Sequence, residues 1–100
     1  MTKSFSIGIL GPGAMGSTLG AQLAQQDLKV FFFNRQGPVD HDLTIRDGRG
    51  RYSWCTFPKC EDSQRFSVLI GLTKAYDCAA AFERHHSWLE PEGFLLDLSN

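Results

Sequence analysis

The run Ser6-Ile7-Gly8-Ile9-Leu10 leads without a break into Gly11-Pro12-Gly13-Ala14-Met15-Gly16, and no other part of the chain restricts the fold as strongly. A short apolar run that ends at glycine reads as a buried strand. The glycines then follow G-x-G-x-x-G spacing at the point where a helix should begin. In a dinucleotide site each glycine has a physical task. Gly11 permits the tight turn, Gly13 lets the backbone approach a pyrophosphate, and Gly16 lets the helix pack closely on the strand. The N–H groups of the first turn, around Ala14, Met15 and Gly16, lie at the positive end of the helix dipole and would receive the phosphates. Glycines also mark ordinary turns, so the strand before and the helix after carry the reading.

The helix repeats the message in its packing. Gly16, Gly20 and Ala24 recur every four residues, which places them on one face. This small stripe is expected to lie close against a sheet, with Met15, Leu19 and Leu23 as an adjoining apolar stripe. An ordinary amphipathic helix explains the leucines. It gives no reason for two glycines, each costing about 0.8–1 kcal/mol relative to alanine in a helix interior.

Downstream the chain alternates in type. Lys29-Val30-Phe31-Phe32-Phe33 is a second continuously apolar strand, as parallel strands tend to be. Residues 36–42 carry Gly37 and Pro38 and read as a loop. Leu43 to Arg46 and Arg51 to Phe57 flank Asp47-Gly48-Arg49-Gly50, the signature of a hairpin. Ser67 to Leu72 is a third parallel-type strand. Ala75 to Leu89 reads as a helix stopped by Glu90-Pro91-Glu92-Gly93, and Phe94 to Leu98 as a last buried strand. The order predicts an α/β fold, a Rossmann-type doubly wound and mostly parallel sheet with an inserted β-hairpin. Its 100 residues make one domain, residues 1–100.

Composition removes other classes. The net charge is −1 with acids and bases interspersed, which leaves no electrostatic footprint for nucleic acid or an anionic membrane. No signal peptide is visible, and no apolar run approaches a membrane span. Cys55, Cys60 and Cys78 lack a C-x-x-C pair or a histidine at zinc spacing, so no metal site is expected. They read as reduced thiols of a cytoplasmic protein.

The end of the second strand bears on the cofactor. An NAD-type site places an acid about 20 residues beyond the loop, where it accepts the ribose 2′-hydroxyl. This chain has Asn34-Arg35 there and no carboxylate before Asp40. An arginine can bind a 2′-phosphate through charge-assisted hydrogen bonds, which favours NADP; a solvated surface arginine is the alternative.

Gly11-Pro12-Gly13-Ala14-Met15-Gly16, Asn34-Arg35, the segment Val68 to Tyr76 with Lys74-Ala75-Tyr76, Ala79-Ala80-Ala81, and the closing Asp97-Leu98-Ser99-Asn100 together resemble the N-terminal domain of ketopantoate reductases (2-dehydropantoate 2-reductases). The resemblance implies NADPH-dependent reduction of 2-dehydropantoate to pantoate, in pantothenate biosynthesis, with a small 2-keto acid as the partner molecule. It places Lys74 and Asn100 beside the nicotinamide and substrate. Both follow predicted parallel strands at their carboxyl ends, where open α/β sheets bind ligands. It also implies a second, helical domain that supplies the general-acid lysine and a substrate-binding glutamate. Neither has a counterpart here, so no catalytic residue is assigned, and the chain is expected to be one part of a two-domain enzyme. A homodimer is an assembly left open. The family often has a glycine after the first helix where this chain has Gln26-Asp27.

Two other readings stay open. Gly-x-Gly-Ala-Met-Gly, Asn34-Arg35 and Leu96-Asp97-Leu98-Ser99 also resemble β-hydroxyacid dehydrogenase-like NADP reductases, and a non-catalytic NADP-binding or sensing module is the third. His85 and His86 are adjacent on a helix and cannot hold one metal together; one of them belongs at the edge of the stripe formed by Phe82 and Leu89. Arg46, Arg49 and Arg51 read as a solvated turn. Trp54, Trp88 and Phe31-Phe32-Phe33 read as core or interface residues, and Tyr76 as a helix-packing residue or a cover for a cofactor ring.

Overall fold

A computed structural model of the chain describes residues 5–11, 13–73 and 75–98, without the side chains of Ala75 and Tyr76. The elements run β1 (Ser6–Leu10), α1 (Ala14–Ala24), β2 (Lys29–Asn34), β3 (Gly37–Val39), β4 (His41–Arg46), β5 (Tyr52–Phe57), β6 (Phe66–Gly71), α2 (Ala75–His85), a short 3-10 turn (His86–Trp88) and β7 (Leu89–Asp97). Five strands form one sheet in the order β3-β2-β1-β6-β7, while β4 and β5 form a separate hairpin. In that sheet β1 lies parallel to β2 and β6, and β6 parallel to β7, while β3 runs antiparallel on β2; β4 and β5 pair antiparallel with each other. The fold is the Rossmann-like, mostly parallel sheet that the strand–glycine–helix start demands.

Strand alternation builds two cores from the same apolar runs. Ile7, Ile9, Val30, Phe32, Val68 and Ile70 point to one face, where Leu19 and Leu23 of α1 and Leu43 and Cys55 of the hairpin cover them. Leu10, Phe33, Phe66 and Leu69 point to the other face, against Ala81 and Phe82 of α2 and Trp88. A strand buried on both faces must be apolar at every position, which is why β1, β2 and β6 read as runs. Edge-to-face aromatic contacts lock the second core, with Phe33 and Phe66 centroids 5.4 Å apart and Phe33 and Trp88 5.6 Å apart.

The small stripe packs as its spacing requires. Gly16, Gly20 and Ala21 are the buried residues of α1, and a Cβ on Gly20 would collide with the Phe32 ring. Met15 departs from its expected stripe and is 70% exposed. It sits in the first turn, at the carboxyl edge of the sheet. After α1, Asp27 adopts φ +61°, the left-handed conformation that a glycine takes without steric cost.

Three local expectations need correction. Residues 36–42 are not one loop: Gly37–Val39 pair with β2, and β4 already starts at His41. Pro38 is accommodated because β3 is an edge strand. The second helix ends at His85 rather than at Leu89, and Glu90 to Gly93 belong to β7 instead of stopping a helix. Phe66 pairs with Leu89 and Val68 with Phe94, so these residues bulge out of an edge strand. Of the residues read as core or interface, Trp54 is 76% exposed and so is not a core residue, whereas Trp88 packs on the core. The hairpin arginines serve their own turn: Asp47 accepts from the Arg49 and Arg51 backbone and from Arg51 Nε at 2.7 Å.

Candidate functional site

The site forms where β1, β2 and β6 end. Gly11 takes φ +110°, which a side chain would strain, and its N–H donates to the Phe33 carbonyl at 3.0 Å. The Leu72 N–H donates to the Leu10 carbonyl, also at 3.0 Å, so the turn is tied to both neighbouring strands. Gly13 is the N-cap of α1 with extended backbone (φ −79°, ψ −169°), and its carbonyl receives the Ser17 N–H at 2.8 Å. A Cβ on Gly13 would meet nothing within 4 Å. A Cβ on Gly16 would strike the Gly11 carbonyl oxygen. The two glycines therefore do opposite things: Gly16 closes the helix onto the strand, and Gly13 leaves open space in front of the helix.

That open space lies at the N-terminus of α1. Among the described residues no side-chain hydrogen bond caps α1 at Gly13, and its first turn contains no acid. The N–H groups there have no partner within the helix, so an anion can take them without displacing a carboxylate. The geometry fits a dinucleotide pyrophosphate.

Beside the turn, a cleft of about 290 Å³ runs between the end of β2 and α2. Its apolar lining includes Leu10, Phe33 and Ala81, all buried, and Arg35, Asp77 and Arg84 also line it. Asn34 and Arg35 stand where the sequence places them, at the end of the second strand. Asn34 Oδ1 accepts the Gln36 N–H at 2.8 Å, and this side-chain turn presents Arg35 at the tip of the tight β2–β3 connection. The Arg35 guanidinium is 3.7 Å from Asp77 Oδ2. Pro12, Lys74 and Asn100 lie outside the described residues, as does the side chain of Tyr76.

Sequence reasoning missed Asp77, Arg84 and His85 as residues of this site. Their spacing carries a signal, since positions 77, 81, 84 and 85 share one helical face. His85 is only 4% exposed and tilts against Phe33 with centroids 5.3 Å apart, while His86 is exposed. Burial, with the Arg84 charge second, lowers the His85 pKa below 6.5, and a hydrogen bond with the Asn34 backbone opposes this in part. Folding therefore favours the neutral ring over the charged one. Because the unfolded chain takes up this proton first, stability is full above pH 6.5 and falls as the pH drops below it, down to the folded pKa. Urea midpoints at pH 7.5 and 5.5 should show that loss in the wild type and a smaller one in His85→Phe; equal losses would contradict the assignment.

Among the described residues no group of three or more His, Cys, Asp or Glu is placed to hold a metal ion, and no helix is long and apolar enough to cross a membrane. Cys55, Cys60 and Cys78 form no disulfide, and the Cys78 thiol donates to Asp97 Oδ1 at 3.3 Å.

An open sheet with helices on both faces, a glycine turn after its first strand and a cleft along the same edge define a Rossmann-like domain, the unit on which NAD(P)-dependent dehydrogenases are built. The sequence narrows this class: the chain belongs to the ketopantoate reductase family PanE/ApbA, an oxidoreductase family whose model matches residues 7–100. No curated protein matches the chain by sequence. Among solved structures, it is similar to a protein assigned as 2-dehydropantoate 2-reductase from Enterococcus faecalis (24% identity, TM-score 0.77). It is also similar to a dimeric ketopantoate reductase from Staphylococcus aureus (20%, 0.73) and to a D-mandelate dehydrogenase in a ternary complex with NADH and anilino(oxo)acetate (24%, 0.74). Each match covers 96% of this chain, and respectively 34%, 34% and 33% of the matched one. The chain thus spans about a third of their length.

Proposed function

We propose that this chain is the NADP-binding part of an enzyme that reduces 2-dehydropantoate to pantoate for pantothenate biosynthesis. The observation that carries the reading is the pairing of an open, uncapped helix N-terminus at Gly13 with a cleft that Arg35 overlooks. Gly11, Gly13 and the first-turn amides of Ala14, Met15 and Gly16 hold the pyrophosphate. The cleft takes the adenine end, and Arg35 the 2′-phosphate. Bound NADPH supplies the hydride, which is the cofactor's own chemistry. The family resemblance assigns Lys74 and Asn100 to the nicotinamide and substrate. The general acid belongs to the part of the enzyme outside these residues. Three reduced cysteines suit the cytoplasm, and the dimeric state of the Staphylococcus aureus structure supports a homodimer.

A second reading has a specific observation behind it. The D-mandelate dehydrogenase shares this fold and was solved with NADH and a 2-oxo acid analogue, so a different 2-keto acid is the rival substrate. NADPH oxidation by the full-length protein, measured against a panel of 2-keto acids, decides between them. Turnover should be highest with 2-dehydropantoate, and a clear preference for an aromatic 2-keto acid would overturn the assignment. The 100-residue chain alone should bind NADPH without turnover, because general acid–base catalysis contributes about 10²–10⁴-fold.

A further inference from the structure

In a site of this fold the acid that accepts the ribose 2′-hydroxyl comes from the end of the second strand. Here that strand ends at Asn34, followed by Arg35, and an acid reaches the same cleft from the opposite wall. Asp77 lies in the first turn of α2, with its Oδ2 3.7 Å from Arg35 Nη2. This is beyond hydrogen-bond distance, so charge holds the pair while its donors and acceptors stay available to a ligand. The two side chains are 84% and 37% exposed, so water screens their attraction and either can turn to a ligand.

We propose that Asp77 is a specificity-determining residue which offsets Arg35, accepting the ribose 2′-hydroxyl of NADH and repelling the 2′-phosphate of NADPH. The inference rests on the reading of the cleft as the adenosine end of the cofactor site. Arg35 alone makes the site selective for the phosphorylated cofactor. With Asp77 facing it, a 2′-phosphate must share its arginine with a carboxylate, and a 2′-hydroxyl gains an acceptor. Arg84, which lines the same cleft, keeps the sum of the three charges positive, so NADPH still binds the better of the two. The site is therefore moderately selective and retains usable affinity for NADH.

Calorimetric titration of NADPH and NADH into the wild type, Asp77→Asn, Arg35→Ala and the double variant tests this. For a partly exposed charge, Asp77→Asn should tighten NADPH and weaken NADH by about two- to fivefold each, widening the ratio about four- to twenty-five-fold. Arg35→Ala should turn the preference towards NADH, and the double variant should bring the ratio near one. Asp77→Ser, a second neutral residue suited to a first turn, covers the case in which the asparagine variant misfolds, as judged by circular dichroism. An unchanged ratio in both Asp77 variants, with the ratio still lost in Arg35→Ala, would overturn the role of Asp77 and leave the site intact. If the wild type binds neither cofactor, the site itself is misassigned and the inference falls with it.

Discussion

Arg35→Ala should weaken NADPH binding about 10- to 150-fold and leave NADH binding nearly unchanged. The arginine stands at the tip of the β2–β3 turn, above the cleft, and its guanidinium is the group suited to a 2′-phosphate. A hydrogen bond to a charged group contributes about 1.5–3 kcal/mol, which sets that range. The substitution removes little else, since the side chain is largely exposed and its ion pair with Asp77 is long. Lysine at this position should restore part of the affinity as a point charge, but not the bidentate geometry. Calorimetry with both cofactors checks the result; a parallel loss for NADPH and NADH would mean that Arg35 supports the fold rather than the phosphate.

Two glycines of one loop should fail in opposite ways. Gly16→Val drives a branched side chain into the Gly11 carbonyl, which is backbone and cannot move aside, so α1 must lift from β1. Overpacking costs about 1–3 kcal/mol, and for a domain of this size each kcal/mol lowers the melting midpoint by about 4–8 °C. A fall of about 5–20 °C is expected. Gly13→Val meets open space, and its backbone is not left-handed, so the midpoint should stay close to the wild type. The valine would instead occupy the room in front of the helix N-terminus, and NADPH binding should be lost. Thermal melts and titrations of the two variants check the contrast. A destabilised Gly13→Val that still binds NADPH would remove the loop from the site.

The features that sequence alone revealed are those with local causes. β1, β2 and β6 declare themselves because a strand covered on both faces must be apolar throughout. The glycine turn declares itself because only glycine tolerates φ +110° at Gly11 and contact with the Gly11 carbonyl at Gly16. The hairpin is legible from Asp47-Gly48-Arg49-Gly50, whose aspartate organises the turn. Errors arose where an edge relaxes the rules. Pro38 and Pro91 signal breaks in a central strand, yet both sit in strands whose outer side is unpaired among the described residues, where a missing N–H costs nothing. Asp77 went unnoticed for a different reason: its spacing places it on the helical face of Ala81 and Arg84, but its meeting with Arg35 depends on how α2 packs on the sheet, which no local pattern encodes.

The two borders of the sheet are unequal, and this gives the molecule a direction of growth. On one side β3 is three residues long and carries Pro38, a border that resists the addition of another strand. On the other, β7 spans nine residues, and beyond the bulge it presents Phe94, Leu95 and Leu96 to solvent on both faces. Glu90, Pro91 and Glu92 protect only its first half. Any strand that joins this sheet, from the rest of the polypeptide or from a second molecule, is therefore steered to Phe94–Asp97, on the far side of β6 from the arginine tip. The sheet can lengthen there without disturbing the cleft. The same apolar border makes the chain on its own prone to stick to its copies as concentration rises.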